Sequence, residues 1–223
     1  MTFPKAVVFD FDGLILDTEW PIYETVAATF AEYEVALAVE DWVEVVGVAD
    51  DAGDWFARVC GRAGAVIDQA EFERRYRARD RSARDHLQPL PGVVELIDDI
   101  LAAGLPLAIA SSSSSEWVIR HLERVGLNDR FAAVRGFDHT GVGKPAPDVY
   151  LAACAALAVD PADALAIEDS APGIAAAKAA GLCCVAVPNR ITRHSRFDHA
   201  DAVLADGLAG MTLRRLVALL STR

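Results

Sequence analysis

The chain has 223 residues, of which 53% are hydrophobic and 24% are charged, so its length and composition suit a globular protein with a sizeable buried core. Its formal net charge is −12, and an acidic surface repels phosphate backbones and anionic lipids, which disfavours nucleic acid and membrane partners. A phosphorylated small molecule is also repelled at long range, so any phosphate site in this chain needs a local positive charge.

Short apolar runs alternate with helical stretches along most of the chain. The runs that predict buried strands are Ala6 to Phe9, Leu105 to Ala110, Ala164 to Ile167, Leu182 to Val187 and Ala202 to Leu204. The stretches that predict helices are Val93 to Ala103, Glu116 to Arg124, Pro147 to Ala158 and Gly173 to Ala180. This alternation indicates an α/β fold, a Rossmann-like doubly wound parallel sheet with helices on both faces.

The segment between the first predicted strand and the next predicted helix breaks this rhythm. It contains no comparable strand run, but apolar residues recur at helical spacing, beginning with the stretch from Ile22 to Phe30. We therefore predict an all-helical insert. The predicted division is a core of residues 1–16 and 88–223, with an inserted helical domain of residues 17–87.

Polar side chains stand at the ends of three predicted strands and in one loop. They are Asp10, Asp12, Ser111, Ser112, Glu168 and Asp169 at the strand ends, and Lys144 in the loop. Ligands of an open parallel sheet bind beyond the carboxyl ends of its strands. The sequence therefore predicts carboxylates, hydroxyl groups and one cation along a single edge of the sheet.

This combination of groups suits phosphoryl transfer, which depends on positioning and on neutralising charge. Several acidic groups at one point repel one another, and a hard cation with oxygen ligands, such as Mg²⁺, removes that repulsion. Lys144 and the Ser111 hydroxyl can hold the other phosphate oxygens. Of Asp10 and Asp12, one carboxylate can attack phosphorus while the other protonates the leaving oxygen and then deprotonates water.

Four short motifs occur in order along the chain. They are Asp10-Phe11-Asp12-Gly13, Ile109-Ala110-Ser111, Lys144 within Gly-Lys-Pro-Ala-Pro-Asp, and Glu168-Asp169-Ser170. Together they resemble the motifs of the haloacid dehalogenase superfamily, in its branch with a helical cap after the first strand. Residues 12–19 are also typical of the sugar-phosphatase and β-phosphoglucomutase group. The resemblance covers nearly the whole chain.

The resemblance implies a role for each motif residue. Asp10 would form an aspartyl-phosphate and bind Mg²⁺, while Asp12 would act as acid and base and lend its backbone carbonyl to the metal. Asp169 would bind Mg²⁺ directly, with Glu168 either a ligand or one water removed. The phosphate-binding residues would be Ser111, Ser112 and Lys144. Dehalogenases of this superfamily lack the second aspartate, so Asp12 argues for phosphorus chemistry.

Four further residues are candidates for contact with the substrate: Gly13, Ser113, Arg79 and Glu19. Gly13 allows the backbone to curl around an incoming group, and Ser113 adds a hydroxyl near the phosphate. Arg79 falls roughly where the mutase branch places a cap lysine, although an arginine-rich helix is also typical of a solvated face. Glu19 enters the insert, where contact with substrate and helix packing are equally compatible with its position.

The leading hypothesis is a Mg²⁺-dependent phosphatase for a small sugar or polyol phosphate. The alternative is a mutase of the β-phosphoglucomutase type, which uses the same motifs but must hold a bisphosphate with cationic groups at its second end. The mutase resemblance would suggest a lysine near position 114, where this chain has Ser114. A phosphoryl-receiving signalling module is disfavoured, because such modules are about half this length and lack an inserted cap.

Neither a signal peptide nor a membrane span is expected. The N-terminal apolar run is too short for the first, and no segment approaches the roughly twenty apolar residues of the second. The four cysteines show no Cys-x-x-Cys spacing, which indicates reduced thiols. We therefore expect a cytoplasmic monomer or small homo-oligomer that binds a small phosphorylated metabolite.

Overall fold

Within the described residues, six strands form one parallel sheet. The computed structural model describes residues 3–43, 55–80 and 86–221. The strands are β1 Ala6–Phe9, β2 Leu107–Ala110, β3 Ala133–Arg135, β4 Ala164–Glu168, β5 Cys183–Ala186 and β6 Ala202–Val203. They lie in the order β3-β2-β1-β4-β5-β6, so the direction of winding reverses between β1 and β4. In sheets of this kind, ligands bind in the crevice outside the carboxyl ends of the strands at that reversal.

The central strands bring two of the sequence motifs side by side. β1 pairs with β4, with Phe9 opposite Ile167, and it pairs with β2 on its other edge. The Asp10 N–H donates to the carbonyl of Ile167 at 2.9 Å, one residue beyond the end of β1. All of β1 is buried, as expected for an apolar strand covered on both faces. Asp10 therefore leaves the sheet next to Glu168.

Helices cover both faces of the sheet. The helices are α1 Glu19–Ala31, α2 Val39–Val43, α3 Trp55–Ala63, α4 Gln69–Asp80, α5 Val93–Ala102, α6 Ser115–Val125, α7 Phe137–Thr140, α8 Asp148–Ala156, α9 Ala171–Ala179 and α10 Leu213–Ser221. Side chains of a strand alternate between its faces. Val7 and Phe9 accordingly share an apolar cluster with α5, α6 and α10, whereas Val8 shares one with α8 and α9.

The helices α1 to α4 form the insert around an apolar cluster of their own. Phe30 is fully buried in it, with its ring centroid 4.4 Å from that of Phe72 and 5.5 Å from that of Phe56. Ile191, which follows β5 in the core, joins this cluster and is also fully buried. The prediction of an α/β core with an inserted helical cap is confirmed, whereas the boundaries at residues 17 and 87 stay predictions.

The predicted elements correspond to β1, β2, β4, β5 and β6 and to α5, α6, α8 and α9. The strand β3 and the helices α7 and α10 are additional to the prediction. β3 is an edge strand of three residues that ends in an arginine, so it offers no apolar run to detect. The helix α10 buries Leu213, Leu216 and Leu220, a spacing that marks one face of a helix.

The cysteines are free thiols, as the sequence indicates. Cys60, Cys154 and Cys184 are buried and Cys183 is half-buried. Across the three described ranges, no helix combines the length and the apolar character that crossing a membrane requires.

Candidate active site

A buried lysine joins two carboxylates at the carboxyl ends of β1 and β4. Lys144 is 3% exposed, Asp10 is 5% exposed and Glu168 is fully buried. The Lys144 Nζ donates to Asp10 Oδ1 and to Glu168 Oε1. Hydrogen bonds between ionised partners are shorter and stronger than those between neutral groups. Lys144 is thus a buried cation at the strand ends, and the prediction is that it supplies the local positive charge of a phosphate site.

Glu168 has both carboxylate oxygens engaged by protein donors. Oε1 accepts from Lys144 and, at 3.0 Å, from the hydroxyl of Tyr150. Oε2 accepts from the backbone N–H groups of Asp169 at 2.9 Å and Ser170 at 3.0 Å, and from the Ser170 hydroxyl at 3.1 Å. The carboxylate lies just before α9, where the helix dipole favours negative charge. This arrangement favours an indirect role, in which Glu168 orients Lys144.

Asn189 holds Asp169 beside the backbone of Gly13. The Asn189 Nδ2 donates to Asp169 Oδ2 at 2.7 Å and to the carbonyl of Gly13 at 3.2 Å. The Asn189 Oδ1 accepts from the N–H groups of Ile191 at 2.8 Å and Thr192 at 2.9 Å, which fixes the orientation of the amide. Gly13 has a φ of +84°, and a Cβ added there would lie 2.4 Å from Asp169 Oδ2. Only glycine permits this close approach.

The same loop, residues 189–192, continues to the cap. The Arg190 guanidinium pairs with Asp17 at 2.8 Å and lies 4.0 Å from the ring centroid of Trp20 in α1. Ile191 is buried in the apolar cluster of the cap. Consecutive residues of the 189–192 loop therefore contact the acidic site and the first helix of the cap.

The acidic groups form a compact cluster in which carboxylates outnumber the neighbouring cation. Asp10, Glu168 and Asp169 each bring a carboxylate oxygen within 4.8 Å of the others. Burial raises the pKa of Asp10 to about 7, although Lys144 opposes this rise. Burial also raises the pKa of Asp169 well above its usual range, and the charges of Asp10 and Glu168 act in the same direction. Three carboxylates here share one ammonium group, so the donor set fits a divalent cation with oxygen ligands such as Mg²⁺.

Asp12 accepts hydrogen bonds from three side chains that follow β2. The hydroxyls of Ser111 and Ser113 donate to Asp12 Oδ2 at 3.2 Å and 2.7 Å, and the Trp117 Nε1 donates to Oδ1 at 3.1 Å. The Ser111 hydroxyl also accepts from the N–H of Ser113 at 2.9 Å. Asp12 is half-buried, in contrast to Asp10. The two aspartates of the first motif therefore face different partners.

The next serines have other roles. The Ser112 hydroxyl accepts from the Lys144 N–H at 3.3 Å and so connects the end of β2 to the lysine loop. Ser114 is the N-cap of α6, where its hydroxyl accepts from the N–H of Trp117 at 3.3 Å. The serine run is thus divided between the site and the start of a helix.

The two cap candidates have different surroundings. Glu19 is the first residue of α1 and is half-buried. Burial is the main cause of the raised pKa of Asp169, and the charge of Glu19 adds to it. Arg79 instead forms an ion pair with Glu32 on the cap surface, where 46% of the Arg79 side chain is exposed. This contact does not bring Arg79 to the site, and its role in substrate binding stays a prediction.

Asn189 and Trp117 are site residues that the sequence analysis does not identify. Asn189 follows the fourth predicted strand by two residues, so its signal is that of a polar side chain at a strand end. Trp117 gives a weaker signal. Its only distinguishing feature in the sequence is a side-chain N–H two residues after the serine run.

Comparison with known proteins agrees with this architecture. Residues 7–187 match the family model described as haloacid dehalogenase-like hydrolase. YhcW of Bacillus subtilis (strain 168), which is named as a phosphatase, is 37% identical over 213 residues, with 96% of both chains covered.

Two solved structures are similar over nearly their whole length. A mutant of CbbY from Rhodobacter sphaeroides in complex with xylulose-(1,5)bisphosphate has a TM-score of 0.74 and 30% identity, and the match covers 96% of this chain and 99% of CbbY. β-Phosphoglucomutase from Clostridium difficile has a TM-score of 0.77, with 98% of both chains covered, but its 20% identity supports the fold alone. The family match over most of the sequence shows that this chain is an enzyme of the haloacid dehalogenase-like hydrolases.

Proposed function

We propose that this enzyme is a Mg²⁺-dependent phosphatase that hydrolyses a sugar or polyol phosphate through an aspartyl-phosphate on Asp10. The enzyme class, phosphoric monoester hydrolase, follows from the family. We propose the metal, the substrate and the roles of the residues. The observation that carries the proposal is the buried Lys144, which bridges Asp10 and Glu168 beside Asp169. That arrangement pairs a nucleophile with a cation able to offset the charge of a phosphate.

The proposed reaction has two steps that use the two aspartates in turn. A carboxylate oxygen of Asp10 attacks phosphorus, the bond from phosphorus to the leaving oxygen breaks, and Asp12 donates a proton to that oxygen. Asp12 then removes a proton from a water molecule whose oxygen attacks the phosphorus. The bond to Asp10 breaks, and orthophosphate is released. Lys144 and Ser111 hold the phosphate oxygens throughout both steps.

The metal would be held by the carboxylates of Asp10 and Asp169 and by the backbone carbonyl of Asp12. When bound, Mg²⁺ neutralises phosphate charge and orients the phosphoryl group. Glu168 is assigned the indirect role, because its oxygens already accept from protein donors. Asn189 keeps Asp169 in place through its amide N–H.

Two observations favour a sugar-phosphate phosphatase over a mutase. The CbbY mutant with xylulose-(1,5)bisphosphate is 30% identical to this chain, whereas the phosphoglucomutase is 20% identical. In addition, the position near which the mutase resemblance would suggest a lysine is occupied by Ser114, which caps α6.

Phosphate release from a panel of sugar phosphates, pentulose bisphosphates and polyol phosphates is expected to require Mg²⁺. Chelation with EDTA should lower the rate by at least about 10²-fold, because the charge on the transferring phosphoryl group is then less well neutralised. Excess Mg²⁺ should restore the rate. The measurement is colorimetric phosphate release under both conditions.

Three results of the same assay would contradict the proposal. Full activity in EDTA would show that the reaction does not require Mg²⁺. Conversion of glucose 1-phosphate to glucose 6-phosphate with a bisphosphate primer, without phosphate release, would indicate the mutase. Turnover of neither kind would overturn the proposed function and leave the fold assignment intact.

Asn189→Ala is expected to raise the Mg²⁺ concentration for half-maximal activity by about 10-fold or more, since loss of a residue that orients a metal ligand typically weakens affinity by that factor. Titration of activity with Mg²⁺ measures the effect. Asn128→Ala, in a short helical turn before β3, is the matched control and should leave the titration unchanged. The same Mg²⁺ concentration for half-maximal activity in both variants would mean that Asn189 does not support the metal site.

A further inference from the structure

Trp117 connects the start of α6 to the second aspartate of the first motif. It is the third residue of that helix, and its N–H donates to the capping Ser114 hydroxyl at 3.3 Å. Its side-chain Nε1 donates to Asp12 Oδ1 at 3.1 Å, while Ser113 and Ser111 donate to the other oxygen, Oδ2. Both oxygens of this carboxylate therefore accept hydrogen bonds from protein donors.

The indole ring is itself held in place. Its centroid lies 3.9 Å from that of His121, one helical turn later, and the Arg120 guanidinium lies 5.3 Å from the ring centroid. His121 is 5% exposed, and its Nδ1 lies 2.8 Å from the carbonyl oxygen of Trp117. The imidazole also contacts Phe11, the residue between the two aspartates, with a centroid separation of 6.4 Å. The ring therefore cannot rotate without disturbing a packed group.

We infer that Trp117 is a positioning residue that fixes the orientation of the Asp12 carboxylate for proton transfer to the leaving group. This inference rests on the proposed function. The indole N–H is a hydrogen-bond donor and far too weak an acid to protonate a leaving group, so Trp117 acts through Asp12 rather than on the substrate. A carboxylate that rotates freely spends less time in the geometry that proton transfer needs.

The competing interpretation is that the Trp117 ring only fills space. It packs against the apolar cluster under α5 and α6, and loss of its volume would lower stability. Trp117→Phe separates the two interpretations, because it keeps an aromatic ring beside His121 and removes the N–H donor. His121→Leu is the complementary control, since it removes the stacking partner and keeps the Trp117 Nε1.

The test compares two substrates that differ in their need for a proton. A sugar phosphate has an alkoxide leaving group that must be protonated, whereas p-nitrophenyl phosphate releases a stable phenolate. For Trp117→Phe, kcat/KM on the sugar phosphate is expected to fall about 10- to 100-fold, while kcat/KM on p-nitrophenyl phosphate changes by less than about twofold. His121→Leu loosens the ring but keeps the Nε1 donor, so any selective loss of kcat/KM on the sugar phosphate should be smaller than that of Trp117→Phe.

Other results of this comparison would overturn either the inference or the proposed function. An equal fall on both substrates, or no fall on either, would overturn the inference. If Trp117→Phe fails to fold by circular dichroism, Ser113→Ala, which removes a donor from the other oxygen, must show the same difference between substrates or the orientation argument is wrong. A wild-type chain that hydrolyses neither substrate would overturn the proposed function instead.

Discussion

Asp10→Asn is expected to lower the rate of phosphate release by at least about 10³-fold, because an amide cannot attack phosphorus. The amide has the same shape as the carboxylate, so the fold should be retained. Burial raises the pKa of Asp10 to about 7, above its value in an unfolded chain, so at higher pH the ionised carboxylate opposes folding. Removing that charge is therefore not expected to lower the melting temperature without metal.

Activity and thermal melting are measured on the same preparation of Asp10→Asn. The matched control is Asp163→Asn, an aspartate that pairs with Lys5 at 2.7 Å, and it should retain wild-type turnover. Residual activity of Asp10→Asn near the wild-type rate would show that another residue is the nucleophile.

Lys144→Ala is expected to lower kcat/KM by about 10²- to 10³-fold, the usual consequence of removing one preorganised donor to a developing negative charge. It should also destabilise the metal-free protein. Lys144 is 3% exposed and binds two buried carboxylates, and removal of one partner from a buried ion pair costs about 3–5 kcal/mol in free energy of unfolding. Added Mg²⁺ should recover part of that stability, because it supplies positive charge to the same cluster.

The two effects of Lys144→Ala are separated by urea unfolding with and without Mg²⁺ and by kinetics on the folded protein. Lys178→Ala is the control, since Lys178 forms a more exposed ion pair with Asp201 at 2.6 Å. Wild-type kcat/KM in a folded Lys144→Ala variant would place the phosphate site elsewhere. Unchanged stability without metal would mean that the carboxylates lose their charge when the lysine is absent.

The sheet was predictable from sequence because its central strands are continuous apolar runs. Ala6 to Phe9 and Ala164 to Ile167 are buried on both faces, so nothing polar interrupts the pattern. The edge strand β3 lacks that signal, since it spans three residues of which Val134 and Arg135 are only half-buried. Its position depends on pairing with β2, which is a tertiary effect that sequence alone does not show.

The centre of the site was also predictable, because parallel strands place their carboxyl ends at one edge. The structure brings Asp10, Lys144, Glu168 and Asp169 together as expected. The roles of those residues remain predictions until the variants are measured. What sequence could not show is the direction of each side chain. One example is that both Glu168 oxygens accept hydrogen bonds, and another is that Asn189 reaches Asp169 from a loop twenty residues later in the chain.

The 189–192 loop would link the proposed cation binding to the position of the cap. Asn189 contacts the acidic cluster, while Arg190 and Ile191 contact the cap, so a shift of the loop changes both sets of contacts. Linkage is reciprocal: if an occupied cation site favours one cap orientation by some factor, that orientation strengthens cation binding by the same factor. If substrate favours that same cap orientation, bound substrate would lower the Mg²⁺ concentration at which the proposed site is half occupied, and bound Mg²⁺ would strengthen substrate binding.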